Sequence, residues 1–255
     1  MKNILILNDF VCLGKIAGRL MSTVLSYMDY EVFFLPTSLI ANNFSLCKNA
    51  FLNTNDFVEK SLKNWKDLNF KFDLIFVGFI EDEKQKDIII DFINSLDYRP
   101  KIVFDPIMGD NGKLYESITA DKISTYQSFL DIADITIPNQ TEAKFLALDL
   151  DLFLDGKHNL IITSLSENGK NLIRLINTEI TDISYEKVDV SPGGTGDLFD
   201  ALFIGFYLKN MSIKEAIKKT SSSITKILKA QKELDPYPRE IYVEKFFDLI
   251  ESWQE

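Results

Sequence analysis

The stretch SPGGTGDLFDALFIGFYL, residues 191–208, sets a single acid, Asp197, between a glycine-rich turn and a long apolar run. Gly193, Gly194 and Gly196 allow backbone amides to approach a ligand closely. A helix starting near residue 196 turns its positive end to the same point. Amides that converge in this way form an anion cradle, which suits the charge that grows on a transferring phosphoryl group. Asp197, in the first helical turn, is then placed to accept the proton of an attacking hydroxyl. The same residues also describe a plain glycine-rich turn with an acid favoured by the helix dipole. Spacing alone leaves both readings open.

Further polar residues fall where apolar runs end. Asn8 and Asp9 follow ILIL, and Asp105 follows KIVF, with Asp110 close behind. Asn139 and Glu142 follow ITIP, and Thr163 and Ser164 follow LII. Each alone reads as a helix cap or turn former. Together they mark a candidate site, because ligands of open α/β sheets bind outside the carboxyl ends of the strands. No G-x-x-x-x-G-K-[ST] occurs, so a P-loop is excluded, and GKIAG at 14–18 is too incomplete for a dinucleotide fingerprint.

The single histidine, His158, precedes an apolar run and reads as a solvated loop residue. A histidine-rich zinc site is excluded by count, and no Cys-x-x-Cys is present. Acid–base chemistry therefore falls to carboxylates. The net charge of −10 argues against nucleic-acid and anionic-membrane partners. An acidic protein that handles a polyanion needs a metal ion or backbone amides to do so. Two cysteines fit a reducing compartment. MKNILILNDF carries too short an apolar run for a signal peptide, and no other run reaches membrane-span length, so a cytoplasmic location is expected.

The elements that must position these residues alternate. NILILND, EVFFLPTS, FDLIFVGF, KIVFDP, ADITIPN and LIITS read as buried strands. Helical patterns over 15–29, 55–68, 83–97, 118–131 and 139–147 separate them. A late hairpin-like section and three helices, over 194–209, 212–233 and 239–253, close the chain. The pattern predicts an α/β fold: one domain, 1–255, with a mostly parallel sheet and helices on both faces.

GTGDLFDALFIGFYL resembles the anion-hole and base motif of ribokinase-like (PfkB) small-molecule kinases. VFDPIMGDNGKLY followed by LDIADITIPNQTEAKFL resembles the vitamin B6 kinase branch more closely, and the opening NDFVCLGKIAGRLMSTVLSYMDYEVFFLPTSLIANN matches it in layout. The resemblance implies Asp197 as the base and Gly194, Thr195 and Gly196 as the anion hole. Asp105 and Asp110 would face the ATP phosphates and Mg²⁺. Asn139 and Glu142 complete that region, Glu142 through water to the metal, and Thr163 and Ser164 approach the nucleotide. A monovalent cation (K⁺) near the anion hole and a homodimer are also implied.

The sequence departs from the family at the substrate end. Val11 stands where these kinases usually carry serine, Asn42-Asn43-Phe44-Ser45 where a Thr-His-Thr-Gly-like segment is usual, and Ile137 where threonine is common. Gly193 is an additional glycine. Asp9, Thr37 and Asn43 remain as polar pocket candidates, and Phe79 stands where an aromatic could pack on a planar ring or simply fill the core. The leading expectation is an ATP-dependent kinase of a B6 vitamer's 5′-hydroxymethyl group. A second is a related kinase of a hydroxymethylpyrimidine or a sugar. The former typically has cysteine in place of Asp197, and the latter are usually longer with an added lid. A third is a catalytically weak relative that binds a vitamer or nucleotide.

Overall fold

The computed structural model describes residues 1–42, 49–116 and 118–252. The first half alternates β1 (Asn3–Val11), α1 (Ala17–Tyr27), β2 (Glu31–Ile40), β3 (Phe51–Asn53), α2 (Asn55–Asp67), β4 (Leu74–Val77), α3 (Glu83–Asn94) and β5 (Lys101–Phe104). A small hairpin, β6 (Gly109–Asp110) and β7 (Lys113–Leu114), follows, then α4 (Ala120–Gln127), β8 (Ile135–Thr136) and α5 (Gln140–Phe145). The chain continues through β9 (Asn159–Glu167), β10 (Lys170–Ile176), β11 (Ile180–Tyr185), α6 (Thr195–Leu208) and α7 (Ile213–Leu234).

The main sheet runs β11-β10-β9-β8-β5-β4-β1-β2-β3. Its centre, from β9 to β2, is parallel, and β3, β10 and β11 add antiparallel edges. The central strands are short apolar runs because both faces are covered. Ile4, Ile6, Leu74 and Phe76 pack towards α1, α6 and α7. Their neighbours Leu5, Leu7, Ile75 and Val77 pack towards α2, α3 and α4. After β1 the chain moves outwards to β2 and β3, then returns to β4 on the other side. The switch point therefore lies between the carboxyl ends of β1 and β4, where open sheets form their crevice.

Helix α6 is buried on every side from Leu198 to Phe206, between α1 and α7. This explains why its sequence there is apolar at every position but Asp200, since a helix hydrophobic all round must lie in the core. Gly205 is needed for close approach. A Cβ there would come within 2.4 Å of Met28 Sδ, and Tyr30 Oη donates to its carbonyl at 2.6 Å.

Two expectations are corrected. Residues 239–253 are not a helix; 3₁₀ turns at Val243–Lys245 and Phe247–Leu249 take part of that span. Ile241, Val243, Phe246 and Ile250 are buried at spacings of two, three and four residues, so core packing fixes an irregular path. His158 lies in the loop before β9, as expected, but is not fully solvated. It is half-buried, and its Nδ1 donates to the Ala133 carbonyl at 2.8 Å, by the amino ends of β8 and β9.

Candidate active site

Asp197 sits in the first turn of α6 behind Gly194, the helix N-cap, whose φ of 91° is left-handed. A Cβ at Gly194 would lie 3.1 Å from Leu20 and 3.2 Å from Ile16, so the turn is both conformationally and sterically restricted to glycine. Gly196 differs: a Cβ there would meet nothing within 4 Å, which leaves open space above the helix start. The Thr195 and Gly196 amides, at the start of α6, have no acceptor in the helix ladder. Gly193 is not among the anion-hole amides. Its N–H donates to the Arg239 carbonyl at 3.0 Å.

The Ala17 N–H donates to Asp197 Oδ2 at 2.9 Å, joining the starts of α1 and α6. Burial pushes the Asp197 carboxyl up to about 6, and the amides of Ala17 and of Asp197 itself hold it from going further. The group is therefore ionised at neutral pH and still basic enough to take a proton.

Other acids face it. Asp200, one turn further along α6, is 1% exposed and shares a hydrogen bond with Asp105 at the end of β5. Burial is the largest cause that lifts both carboxyls well above the usual range. The Asp200 charge adds to this at Asp105, whereas the hydrogen bond from Asp105 opposes it at Asp200. Asp200 Oδ2 has no partner among the described residues. Asp9, in β1, is pushed up to about 8, first by burial and then by the Asp197 charge. It is mostly neutral at pH 7 and can donate a hydrogen bond.

On the β5–β8 side, Asn139 and Glu142 form a capping box at the start of α5. Asn139 Oδ1 accepts from the amides of Thr141 (2.8 Å) and Glu142 (3.1 Å), and Glu142 Oε2 accepts from Asn139 N at 2.8 Å. Glu142 Oε1 accepts from Met108 N at 3.0 Å and Gly109 N at 3.4 Å, while Asn139 Nδ2 donates to the Gly109 carbonyl at 2.8 Å. These side chains thus hold the β5–β6 loop that leads to Asp110. Burial, then the Asp105 charge, raises Glu142 well above its usual range. Asp110 is exposed, and its carboxylate accepts from Asn111 N at 2.7 Å and Asn111 Nδ2 at 2.9 Å. Thr163 and Ser164 lie where β9 carries one residue more than β10 opposite it, and Ser164 has a φ of 58°. Such a bulge re-aims side chains relative to the ladder.

The remaining candidates lie on β1, on β2 and in the loop after β4. Val11 is 2% exposed and packs with Ile16, Ala17 and Ile40. Thr37 is fully buried, in a second bulge where β2 gains a residue on β1 between Pro36 and Leu39. Its Oγ1 has no partner among the described residues. Phe79 is 1% exposed, with Lys122 Nζ 4.8 Å from its ring centroid, so it fills the core rather than lining an open pocket. Asn43 and Phe44 lie outside the described residues.

Two site residues had no sequence-derived role. Asn8 is fully buried at the switch point, and its Oδ1 accepts from Asp9 N at 2.9 Å and Phe79 N at 3.0 Å. It thereby ties β1 to the residue after Gly78, where a Cβ would come within 2.7 Å of that oxygen. The signal was an amide inside an otherwise apolar run. Asp200 carried a clearer one: an acid three residues after Asp197, on a helix with no polar face.

Residues 24–239 match the family model described as phosphomethylpyrimidine kinase. The chain is 24% identical to human pyridoxal kinase, covering 88% of this chain and 84% of that protein. A Bacteroides thetaiotaomicron protein, provisionally named a phosphomethylpyrimidine kinase and crystallised with pyridoxal, is similar at 25% identity. It has a TM-score of 0.86 and covers 100% of this chain and 97% of its own. The pyridoxal kinase of Lactobacillus plantarum shares the fold at 19% identity, with a TM-score of 0.88 over 98% and 96% of the two chains. With a family model covering most of its length and a fold shared with these kinases over 98–100% of the chain, it belongs to the phosphomethylpyrimidine kinase family, kinases of ribokinase-like fold that phosphorylate an alcohol.

Proposed function

We propose that this protein transfers the γ-phosphoryl group of ATP to the 5′-hydroxymethyl group of a B6 vitamer: pyridoxal, pyridoxamine or pyridoxine. The observation that carries the reading is Asp197 itself. It is an ionisable acid at the mouth of α6, with the left-handed Gly194 turn behind it and the Asp105 end of β5 facing it. The names of the human and Lactobacillus relatives, and the pyridoxal in the Bacteroides crystal, support the vitamer.

In this reading Asp197 accepts the proton of the substrate hydroxyl as its oxygen forms a bond to the γ-phosphorus. The bond from that phosphorus to the β-γ bridging oxygen breaks, and ADP leaves. Amides of Gly194, Thr195 and Gly196 stabilise the charge on the transferring group. Asn139, Thr163 and Ser164 line the nucleotide side.

The acidic strand ends also fit a divalent cation. Among the described residues no three His, Cys, Asp or Glu side chains converge into a ready-made metal cage. Mg²⁺ typically binds through one or two carboxylates together with substrate phosphates, and in this reading Asp105 and Asp110 would supply them. Glu142 acts on that region by holding the loop before Asp110. The cation would neutralise phosphate charge; a K⁺ ion near the anion hole belongs to the same reading. One kinase domain over 1–255, a homodimer and a cytoplasmic location complete it. Among the described residues no helix is long and apolar enough to cross a membrane.

A second reading, phosphorylation of a hydroxymethylpyrimidine, is favoured by the description of the family model. Asp197 stands against it, where such kinases typically carry cysteine. A panel of the three vitamers, a hydroxymethylpyrimidine and a sugar, each with ATP and Mg²⁺, separates the readings by ADP release. Vitamer turnover supports the first. Turnover confined to the pyrimidine or the sugar replaces it.

A further inference from the structure

Ala17 has a φ of 54°, a left-handed conformation that a residue with a Cβ adopts only when its surroundings enforce it. It is the same residue whose N–H holds Asp197. Something must therefore brace the loop between β1 and α1. The brace comes from the other end of the chain. Glu240 Oε2 accepts from Lys15 N at 2.8 Å and lies against Gly14, where a Cβ would sit only 1.8 Å from it. Gly14 itself is left-handed, with a φ of 84°.

The backbone around Glu240 reaches the other half of the reacting centre. Gly193 N donates to the Arg239 carbonyl at 3.0 Å, and Ile241 N donates to the Gly193 carbonyl at 3.2 Å. Ile241 and Val243 anchor this segment in the core, and Tyr242 N donates to Gln231 Oε1 at 3.0 Å on α7. The contacts close a ring. From Asp197 it runs through Ala17 and Lys15 to Glu240, and returns through Gly193 and Gly194 to Asp197. Lys15 also pairs with Glu244, and Arg19 donates to the Gly14 carbonyl at 2.8 Å, so the loop is held from both sides.

We propose that Glu240 is a positioning residue for the base: by fixing the Gly14–Lys15 backbone it keeps the Ala17 N–H on Asp197. The proposal rests on Asp197 being the base. Glu240 lies one residue beyond the span that the family model matches.

The test is a double-variant cycle in the full chain, with the fastest alcohol of the panel and with melting temperature measured in parallel. Glu240→Met keeps the bulk of the side chain and removes the acceptor. It should lower kcat about tenfold with the KM for ATP unchanged. Glu240→Gln keeps an acceptor for Lys15 N and should stay within about twofold of wild type. On an Asp197→Asn background, Glu240→Met should change the residual kcat by less than about twofold, because there is no base left to position. An equal loss in both backgrounds, or full kcat in a folded Glu240→Met variant, overturns the proposal. Full turnover by Asp197→Asn alone would instead overturn the base, and the Glu240 role with it.

Discussion

The amide of Ala17 and the carboxylate of Asp197 are 180 residues apart in sequence and meet at 2.9 Å, so one hydrogen bond both orients the candidate base and tempers its basicity. Burial lifts the Asp197 carboxyl to about 6, against the opposing pull of that amide. A base must be ionised to act, so activity should rise with pH through about 6 and level off above it. The acidic limb of kcat/KM against pH measures this directly. A limb centred near the ordinary aspartate value would show that the burial seen here does not govern the working group.

Asp9 yields a stability prediction of defined sign. Burial holds its carboxyl up at about 8, far above the ordinary aspartate value of 3.8, so between those values the folded protein keeps a proton that the unfolded chain releases. Raising pH through that window therefore favours unfolding. Asp9→Asn mimics the neutral acid, and should raise the melting temperature at pH 8 while changing little at pH 4. Thermal melts of both proteins across this range provide the check; parallel curves would contradict the shift.

The glycines of the turn should separate into two kinds. Gly194→Ala places a Cβ at a left-handed position against Leu20 and Ile16, at a cost of about 1–2 kcal/mol in stability besides any loss of activity. Gly196→Ala meets no neighbour, so its melting temperature should stay close to wild type. Its kcat should still fall, because the new methyl enters the space assigned to the phosphoryl group. Melting and turnover measured on both variants distinguish the two effects.

Glu142 tests the nucleotide side. Its two oxygens accept three backbone amides from two segments. Glu142→Ala leaves those buried donors unpaired and should destabilise the protein by roughly 2–3 kcal/mol. ATP should raise the wild-type melting temperature appreciably with Mg²⁺ and little with EDTA, because the ionised Asp197 and a chain of net charge −10 oppose a bare polyphosphate. The variant should lose much of that Mg²⁺ dependence. Equal ATP shifts with and without the metal would count against the arrangement.

How much of this was readable in the sequence differs by residue. The central strands were, since runs such as ILIL and LIFV are apolar at every position, as burial on both faces requires. The glycine turn and Asp197 were too, because the conformational demand at Gly194 is written in residue type. The bulges at Thr37 and at Thr163–Ser164 were not, because a bulge depends on the register of a neighbouring strand. A helix was expected over 239–253, yet the apolar residues there serve a path packed against α6 and α7. Asp200 stood in plain view within the motif, but its partner Asp105 lies on another element. No local spacing could pair Lys15 with Glu240.

The central claim, that Asp197 takes the substrate proton in an alcohol kinase, is tested most directly by the steady-state kinetics of Asp197→Asn on pyridoxal with Mg²⁺ and ATP. The asparagine retains an oxygen for the Ala17 N–H and nearly the same shape, so folding and nucleotide binding should be preserved. The account predicts a loss of at least about a hundredfold in kcat, with the KM for ATP and the melting temperature close to wild type. A variant that turns over at a near-normal rate would contradict it.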